Sequence, residues 1–467
     1  MITCKNVSFS YGKDNEKEAV SNISFNIKKG EVVLFCGMSG CGKTTITRLI
    51  NGLIPHYYEG NLTGSVIVDK KNIKDTPLYD ISEKVGSVFQ NPRSQFFSVD
   101  TTSELVFGCE NRGMPENEIL KRKNKVVIEC NIEKLMNISI FNLSGGEKQN
   151  IACAVVSMIS PDIIVLDEPT SNLDIEGIYM LIEILKKWKE EGKTIVISEH
   201  RLWFLKNIAD RVIYLKKGII EQSFTGDEFF MNDKEFYNKR GLRSVNLDKV
   251  SLNNDSDFNE VMVLENAIYS YGGEKKALNI DKLELPIGKV IAVTGKNGAG
   301  KSTFVQCMCG VLKHDKSILT IKDKRYKGRK KMNLCFPVMQ DVNHQLFTES
   351  VLDEVLLSME NEDEEFALKI LQAMDILKFK DQHPMSLSGG EKQRVAIASA
   401  LASKRDILIF DEPTSGLDLK HMKEVSKSIK YLKEQGKTII VVTHDIEFIN
   451  SCCDNIIKLK NGCLEAR

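Results

Sequence analysis

Short runs of consecutive apolar residues recur along this chain, each followed by a longer stretch of mixed polarity compatible with helix. That alternation predicts an α/β protein with a largely parallel sheet. Strands are expected at 31–36, 162–166 and 194–198, and again at 289–294, 406–410 and 438–443. Each runs directly into polar or acidic residues: a glycine-rich loop, an acidic pair, or a histidine. In open α/β sheets ligands collect at the carboxyl ends of strands, so chemistry is expected there. A polar stretch rich in Asn, Ser and Asp, residues 242–260, lacks apolar periodicity and reads as a linker between halves. Just before it, 227–240 reads as one short helix closing the first half.

The length, 467 residues, suits two cores, each large enough to fold without disulfides or a structural metal. Lysine plus arginine equals aspartate plus glutamate at 64 each, so no global field favours nucleic acid. The longest aliphatic runs, such as Ile163-Ile164-Val165-Leu166, fall far short of the roughly 20 residues that span a bilayer. Residue 1 leads almost at once into a strand-like segment, which leaves no room for a cleavable leader and favours the cytosol. The twelve cysteines include no CxxC pair, so zinc or iron–sulfur spacing is absent. Cys36, Cys153 and Cys335 read as small core residues. Cys41 is either a reactive thiol in an electropositive loop or a tolerated variable position. Residues 322–331 hold seven Lys or Arg in ten, which reads as a solvated hairpin or as a surface for anionic headgroups.

One ordered set of motifs occurs twice. The first is Gly37-Met38-Ser39-Gly40-Cys41-Gly42-Lys43-Thr44, then Gln90, Leu143-Ser144-Gly145-Gly146-Glu147, Asp167-Glu168 and His200. The second is Gly295-Lys296-Asn297-Gly298-Ala299-Gly300-Lys301-Ser302, then Gln340, Leu387-Ser388-Gly389-Gly390-Glu391, Asp411-Glu412 and His444. Ser144 and Ser388, Asp167 and Asp411, His200 and His444 are all 244 positions apart. A triphosphate concentrates negative charge, and glycine lets successive backbone N–H groups approach it at a helix N-terminus. Gly37, Gly40, Gly42 and Gly295, Gly298, Gly300 fit that cradle. Lys43 and Lys301 would reach the β- and γ-phosphates, with the Thr44 and Ser302 hydroxyls on Mg²⁺ and Thr45 and Thr303 beside them.

The ordered duplication resembles the ATP-binding cassette family across nearly the whole chain. The resemblance implies two tandem P-loop NTPase domains, 1–241 and 261–467, each with a mainly parallel sheet core, an antiparallel β subdomain and a helical subdomain. It implies ATP and Mg²⁺ as ligands, with Asp167 and Asp411 on the metal and Gln90 and Gln340 sensing metal and water. Glu168 and Glu412 would be the general bases. His200 and His444 would contact the γ-phosphate and stabilise charge as the bond breaks. Ser144, Gly145 and Gly146 would serve the phosphate held by the other domain, as would Ser388, Gly389 and Gly390, making both sites composite. Tyr11 and Tyr271 would stack on adenine. Two departures, Asn150 against Arg394 and Ser198-Glu199-His200-Arg201 against Thr443-His444-Asp445, bear on equality of rates rather than on hydrolysis.

Within that family, 51–60, Gln90-Asn91-Pro92-Arg93-Ser94-Gln95-Phe96-Phe97 and Glu199-His200-Arg201-Leu202 look like the ATPases of energy-coupling factor transporters. That implies a peripheral protein on the cytoplasmic face of the cell membrane, energising vitamin or metal-ion uptake. Its partners would be a transmembrane coupling protein and a membrane substrate-binding component, with no nucleic acid. Phe96-Phe97 and Leu346-Phe347 would either meet the coupling protein or fill the helical subdomain. The competing class is a soluble tandem cassette acting on ribosomes or nucleic acid, against which the linker weighs with two positive and four negative charges.

Overall fold

A computed structural model of the chain describes residues 1–12, 17–247, 249–252, 260–272 and 276–465. They divide into two compact units, one built on the chain up to Leu247 together with Asp418–Lys420, the other on the remainder. Position 248 and residues 253–259 of the expected linker lie outside the described residues, but its beginning does not. Leu242 and Val245 are buried in the first unit's core.

Each unit holds a six-stranded sheet. In the first its order is Ile219–Thr225, Arg211–Lys216, Val32–Gly37, Thr194–Ser198, Ile163–Asp167, Val85–Val88; all neighbours are parallel except the terminal Ile219–Thr225 hairpin. The second repeats this with Cys335–Val338, Ile407–Asp411, Thr438–Val442, Val290–Thr294, Asn455–Lys460 and an antiparallel Cys463–Leu464. Parallel strands covered on both faces must be apolar throughout, which is why these read as unbroken runs. Alternation then decides which face each residue fills. Val32, Leu34 and Cys36 join a core with the helices Gly145–Ile159 and Ile175–Glu190, while Val33 and Phe35 join one with Lys43–Ile50 on the other side. Each such buried side chain stabilises the fold by roughly 1.5–3 kcal/mol.

A four-stranded antiparallel sheet covers that second face. Its first members, Ile2–Tyr11 and Val261–Tyr269, alternate buried and accessible residues, as a strand with one wet face does. Helices Thr101–Glu110, Glu116–Glu129 and Gly145–Ile159 form the first helical subdomain; Val351–Leu357, Glu364–Ala373 and Gly389–Ala402 form the second. The fold class expected from the sequence is the one observed.

Two local expectations change. The single helix at 227–240 is two, Gly226–Phe230 and Lys234–Lys239, because Asp233 accepts from the Phe236 N–H and starts a second helix. The basic run does form a hairpin, Ile318–Ile321 with Lys324–Lys327. Its last lysine, however, is fully buried: Lys331 Nζ lies 2.6 Å from the Asp315 carboxylate and 2.6 Å from the Cys307 carbonyl oxygen. Among the described residues no helix is long and apolar enough to cross a membrane.

Candidate functional site

The central strands Val32–Gly37 and Val290–Thr294 end in the two glycine loops, which turn into helices Lys43–Ile50 and Lys301–Cys309. Gly42 and Gly300 cap those helices at φ 103° and 99°. A Cβ on Gly42 would stand 2.6 Å from Val20 Cγ1, and on Gly300 2.5 Å from the Ala277 carbonyl oxygen. Glycine is therefore required by dihedral and by space together. Gly37, Gly40, Gly295 and Gly298 also have positive φ, so the loop curls its N–H groups inward in both copies. Lys43 Nζ donates to the Gly37 carbonyl at 3.1 Å and Lys301 Nζ to that of Gly295 at 2.6 Å, placing each ammonium inside its loop.

The acidic pairs end neighbouring strands. Thr44 Oγ1 donates to Asp167 Oδ1 at 3.3 Å, and the Ser198 hydroxyl donates to the same oxygen. Burial pushes the Asp167 carboxyl above its ordinary value, opposed by the Ser198 hydrogen bond, with the Glu168 charge adding to the rise. Asp411 is pushed up by burial as well, with Lys301 opposing. A buried carboxylate beside a hydroxyl is a hard-oxygen donor set whose desolvation a small dication would offset, so Thr44 and Asp167 fit Mg²⁺. Ser302 occupies the position of Thr44 in the second helix.

Glu168 and Glu412 share a feature invisible in sequence, a left-handed backbone at φ 44° and 46°. Non-glycine residues hold that conformation only where their surroundings fix it. Here the Glu168 N–H bonds the Ser198 carbonyl at 2.9 Å and the Glu412 N–H that of Val442 at 2.8 Å. Gln90 Nε2 donates to Glu168 Oε2 at 2.7 Å, while His200 Nε2 lies 3.2 Å from Glu168 Oε1 and 3.2 Å from Lys43 Nζ. His200 can donate to Glu168 in one tautomer or accept from Lys43 in the other, but not both at once. Burial, and then the Lys43 charge, hold the imidazole below its ordinary value. Burial alone would raise Glu168; the His200 hydrogen bond, with the positive charge of His200 when protonated and of Lys43, outweighs it and holds the carboxyl below its ordinary value. In the second unit His444 Nε2 lies 3.6 Å from Glu412 Oε1, and Thr443 Oγ1 donates to Glu412 Oε2 at 3.2 Å. Gln340 follows Cys335–Val338 as Gln90 follows Val85–Val88.

The serine-glycine-glycine turns open the helices Gly145–Ile159 and Gly389–Ala402. Ser144 and Ser388 each give their N–H and hydroxyl to a glutamate three residues on, at 2.8 and 2.8 Å to Glu147 and 2.9 and 2.7 Å to Glu391. This capping box leaves the first-turn N–H groups of Gly145, Gly146, Gly389 and Gly390 directed out of the helix end. Tyr11 and Tyr271 stand beside the P-loop helices, their hydroxyls 3.2 Å from Thr45 Oγ1 and 3.3 Å from Thr303 Oγ1.

Sequence reasoning missed four residues that organise these loops. Gln95 and Gln345 zip the segment after each candidate Q-loop glutamine, accepting from the Phe89 and Met339 N–H groups at 3.2 and 3.1 Å. Buried Glu104 accepts from the N–H groups of Phe97 and Ser98 at 2.9 and 2.7 Å, and Glu354 from those of Phe347 and Thr348 at 3.0 and 3.1 Å. Each pair shares the 250-residue offset of Gln90 and Gln340, the one signal that would have found it. The aromatic pairs split: Phe96 packs against the core and Leu346 is buried, while Phe97 and Phe347 are 78% and 72% exposed. Cys41 is buried, and burial pushes its thiol up in spite of Lys43, which favours the inert reading.

Residues 20–171 and 278–415 match the ABC transporter family. An ABC transporter ATP-binding protein of Treponema denticola is 44% identical over 99% of this chain and 96% of its own length. One from Caldanaerobacter subterraneus subsp. tengcongensis is 31% identical over 99% of this chain and 90% of its own. Among solved structures, that of ribosome-bound archaeal Pelota and ABCE1 matches at TM-score 0.66 and 24% identity, covering 98% of this chain and 78% of that one; the likeness is one of fold. Two glycine cradles, each beside an acidic pair and a histidine on a repeated sheet, and a family match in both halves make this chain a member of the ATP-binding cassette family, an ATPase with two cassettes in one polypeptide.

Proposed function

We propose that this chain is the ATP-hydrolysing subunit of an importer of the energy-coupling factor type, taking up a vitamin or metal ion. It sits peripherally on the cytoplasmic face of the membrane, beside a transmembrane coupling protein and a membrane substrate-binding component. The observation that supports this is the presentation of Phe97 and Phe347. At matching places after Gln90 and Gln340, each cassette exposes a phenylalanine on a loop whose backbone is tied to a buried glutamate. Exposed aromatics on a braced loop are a surface built for an apolar partner. Val99 and Phe141 extend it in the first cassette, at 65% and 78% exposure. The relatives' own names, ABC transporter ATP-binding proteins, point the same way.

The chemistry follows from the residues in place. The curled glycine loops and Lys43 and Lys301 bind the phosphates. Thr44 with Asp167, and Ser302 with Asp411, would hold Mg²⁺, which neutralises phosphate charge when bound. Glu168, kept ionised, takes a proton from the attacking water; Gln90 orients that carboxylate, and neutral His200 hydrogen-bonds the γ-phosphate. Glu412 and His444 do the same in the second cassette. The test is purification from membranes in mild detergent. A polytopic membrane protein should travel with the parent and be lost from the Phe97→Ser, Phe347→Ser double variant. Ribosomal proteins in its place would overturn the reading.

A further inference from the structure

The two candidate base-stacking tyrosines are built alike up to one residue. Each packs edge-on to the aromatic two positions earlier, Phe9 to Tyr11 at 4.9 Å and Tyr269 to Tyr271 at 5.0 Å, and each hydroxyl meets the third residue of the P-loop helix. The hydroxyl is then reached from the last turns of that helix. In the first cassette Arg48 donates to Tyr11 Oη at 3.0 Å. In the second, at the equivalent position, Gln306 Oε1 accepts from Tyr271 Oη at 2.9 Å. Arginine can only donate, whereas a glutamine amide can present either end. The Tyr11 oxygen therefore accepts from Arg48, and either hydroxyl of the Tyr11–Thr45 pair can donate to the other.

Arg48 is itself held. Its guanidinium lies 4.0 Å from the Tyr58 ring centroid and 5.8 Å from that of Tyr11, and the two rings stand perpendicular at 6.0 Å. Tyr58 belongs to 51–60; the corresponding 310–317 contains no Phe, Tyr or Trp and instead supplies Asp315 and Ser317 to buried Lys331. A cation stacked on one ring and hydrogen-bonded to another fixes both planes. Tyr11 is half-buried by these neighbours, whereas Tyr271 is 64% exposed.

We infer that Arg48 and Gln306 position the two adenine-stacking tyrosines, and that the stacked Arg48–Tyr58 pair makes the first cassette's nucleotide site the one that draws more of its affinity from the base. The inference rests on the reading of Tyr11 and Tyr271 as base platforms. A group that orders the platform changes binding of the base without changing binding of the phosphates.

The test is calorimetric titration of the full-length protein with Mg-ATP and Mg-tripolyphosphate, in a Lys301→Ala background for the first site and Lys43→Ala for the second. Arg48→Ala should weaken ATP about fivefold to tenfold at the first site, the scale of one aromatic contact, and leave tripolyphosphate within about twofold. Gln306→Ala should cost ATP about twofold to threefold at the second. Arg48→Lys, which keeps a donor but loses the flat stack, should fall between parent and Arg48→Ala. In the two parent backgrounds the ratio of ATP to tripolyphosphate affinity should be greater at the first site. Equal weakening of ATP and tripolyphosphate by Arg48→Ala, no weakening of either, or an equal ratio at the two sites overturns the inference. Tyr11→Ala separates this from the underlying reading: if it leaves the ratio of ATP to tripolyphosphate affinity unchanged, Tyr11 is no base platform. If Tyr11→Ala changes that ratio and Arg48→Ala does not, only the positioning role falls.

Discussion

The first cassette satisfies a buried threonine from the residue before His200, the second from the residue after His444. In the first, buried Glu199 takes the Thr170 hydroxyl and N–H on one oxygen, at 2.9 and 3.3 Å, and the N–H groups of His200 and Arg201 on the other, at 2.8 and 3.1 Å. In the second, Asp445 takes the equivalent Thr414 hydroxyl at 2.8 Å and caps Ile446–Cys452 through the Phe448 N–H at 3.2 Å. A buried threonine behind the acidic pair needs a carboxylate partner in both cassettes, and two positions flanking the histidine can supply it. The shorter Asp can also start a helix, whereas Glu199 spends all its acceptors on the loop. What matters is the satisfied threonine, not which of the two flanking positions supplies the carboxylate.

That difference can be tested first where its effect is largest, at turnover. Replacing both Glu168 and Glu412 by Gln should lower ATP hydrolysis by about 10²–10⁴-fold while ATP affinity stays near that of the parent, because the base is lost and the glycine cradles are untouched. The single variants sharpen the comparison. If the two wirings perform alike, Glu168→Gln and Glu412→Gln reduce steady-state phosphate release equally; unequal reductions assign the faster site. Near-parental turnover in the double variant removes both carboxylates from the general-base role.

The next effect is on stability. Glu199→Ala should destabilise the first cassette by about 1–3 kcal/mol, since Thr170 and the His200 and Arg201 amides are left in a buried pocket without that acceptor. Asp445→Ala should cost the second cassette a comparable amount, including about 1 kcal/mol for the lost helix cap. Chemical denaturation separates them: both tryptophans, Trp188 and Trp203, belong to the first cassette, so fluorescence follows that cassette alone. A fluorescence midpoint that moves with Asp445→Ala and not with Glu199→Ala would reverse the assignment.

The strands, both glycine loops and the acidic pairs were legible because their physics is local. A strand buried on both faces must be an unbroken apolar run, and a helix cap at positive φ must be glycine. The duplicated order then fixed the family. What stayed illegible depends on neighbours distant in sequence. Lys331 looked like the last member of a solvated basic run, and its burial is explained by acceptors upstream, the Asp315 carboxylate with the Cys307 carbonyl and Ser317 hydroxyl. Phe96 and Phe97 looked like one aromatic pair, yet the extended chain after the 3-10 turn Pro92–Gln95 sends adjacent side chains to opposite sides. Glu199 read as a departure within the histidine motif, whereas its partner Thr170 lies beyond the Asp167-Glu168 pair.

The pH dependence of stability is the effect most specific to Glu199. Burial, with the Glu168 charge adding to it, pushes its carboxyl from the ordinary 4.5 to about 7. Thr170, His200 and Arg201 hydrogen bonds oppose that rise without cancelling it. Below about pH 4.5 the carboxyl is protonated in both native and unfolded chains and contributes no slope. Between about 4.5 and 7 the native cassette keeps a proton that the unfolded chain has released, so native stability falls as pH rises. Above about 7 both forms are ionised, the slope ends, and the accumulated cost is on the order of 3 kcal/mol. Glu199→Gln has no proton to lose there. Measured by tryptophan fluorescence in urea, the stability of Glu199→Gln relative to the parent should therefore climb from pH 5 to pH 7 and level off beyond. A difference that is flat across that window would mean that Glu199 is ionised in the native cassette throughout, braced by its four donors strongly enough to cancel the cost of burial.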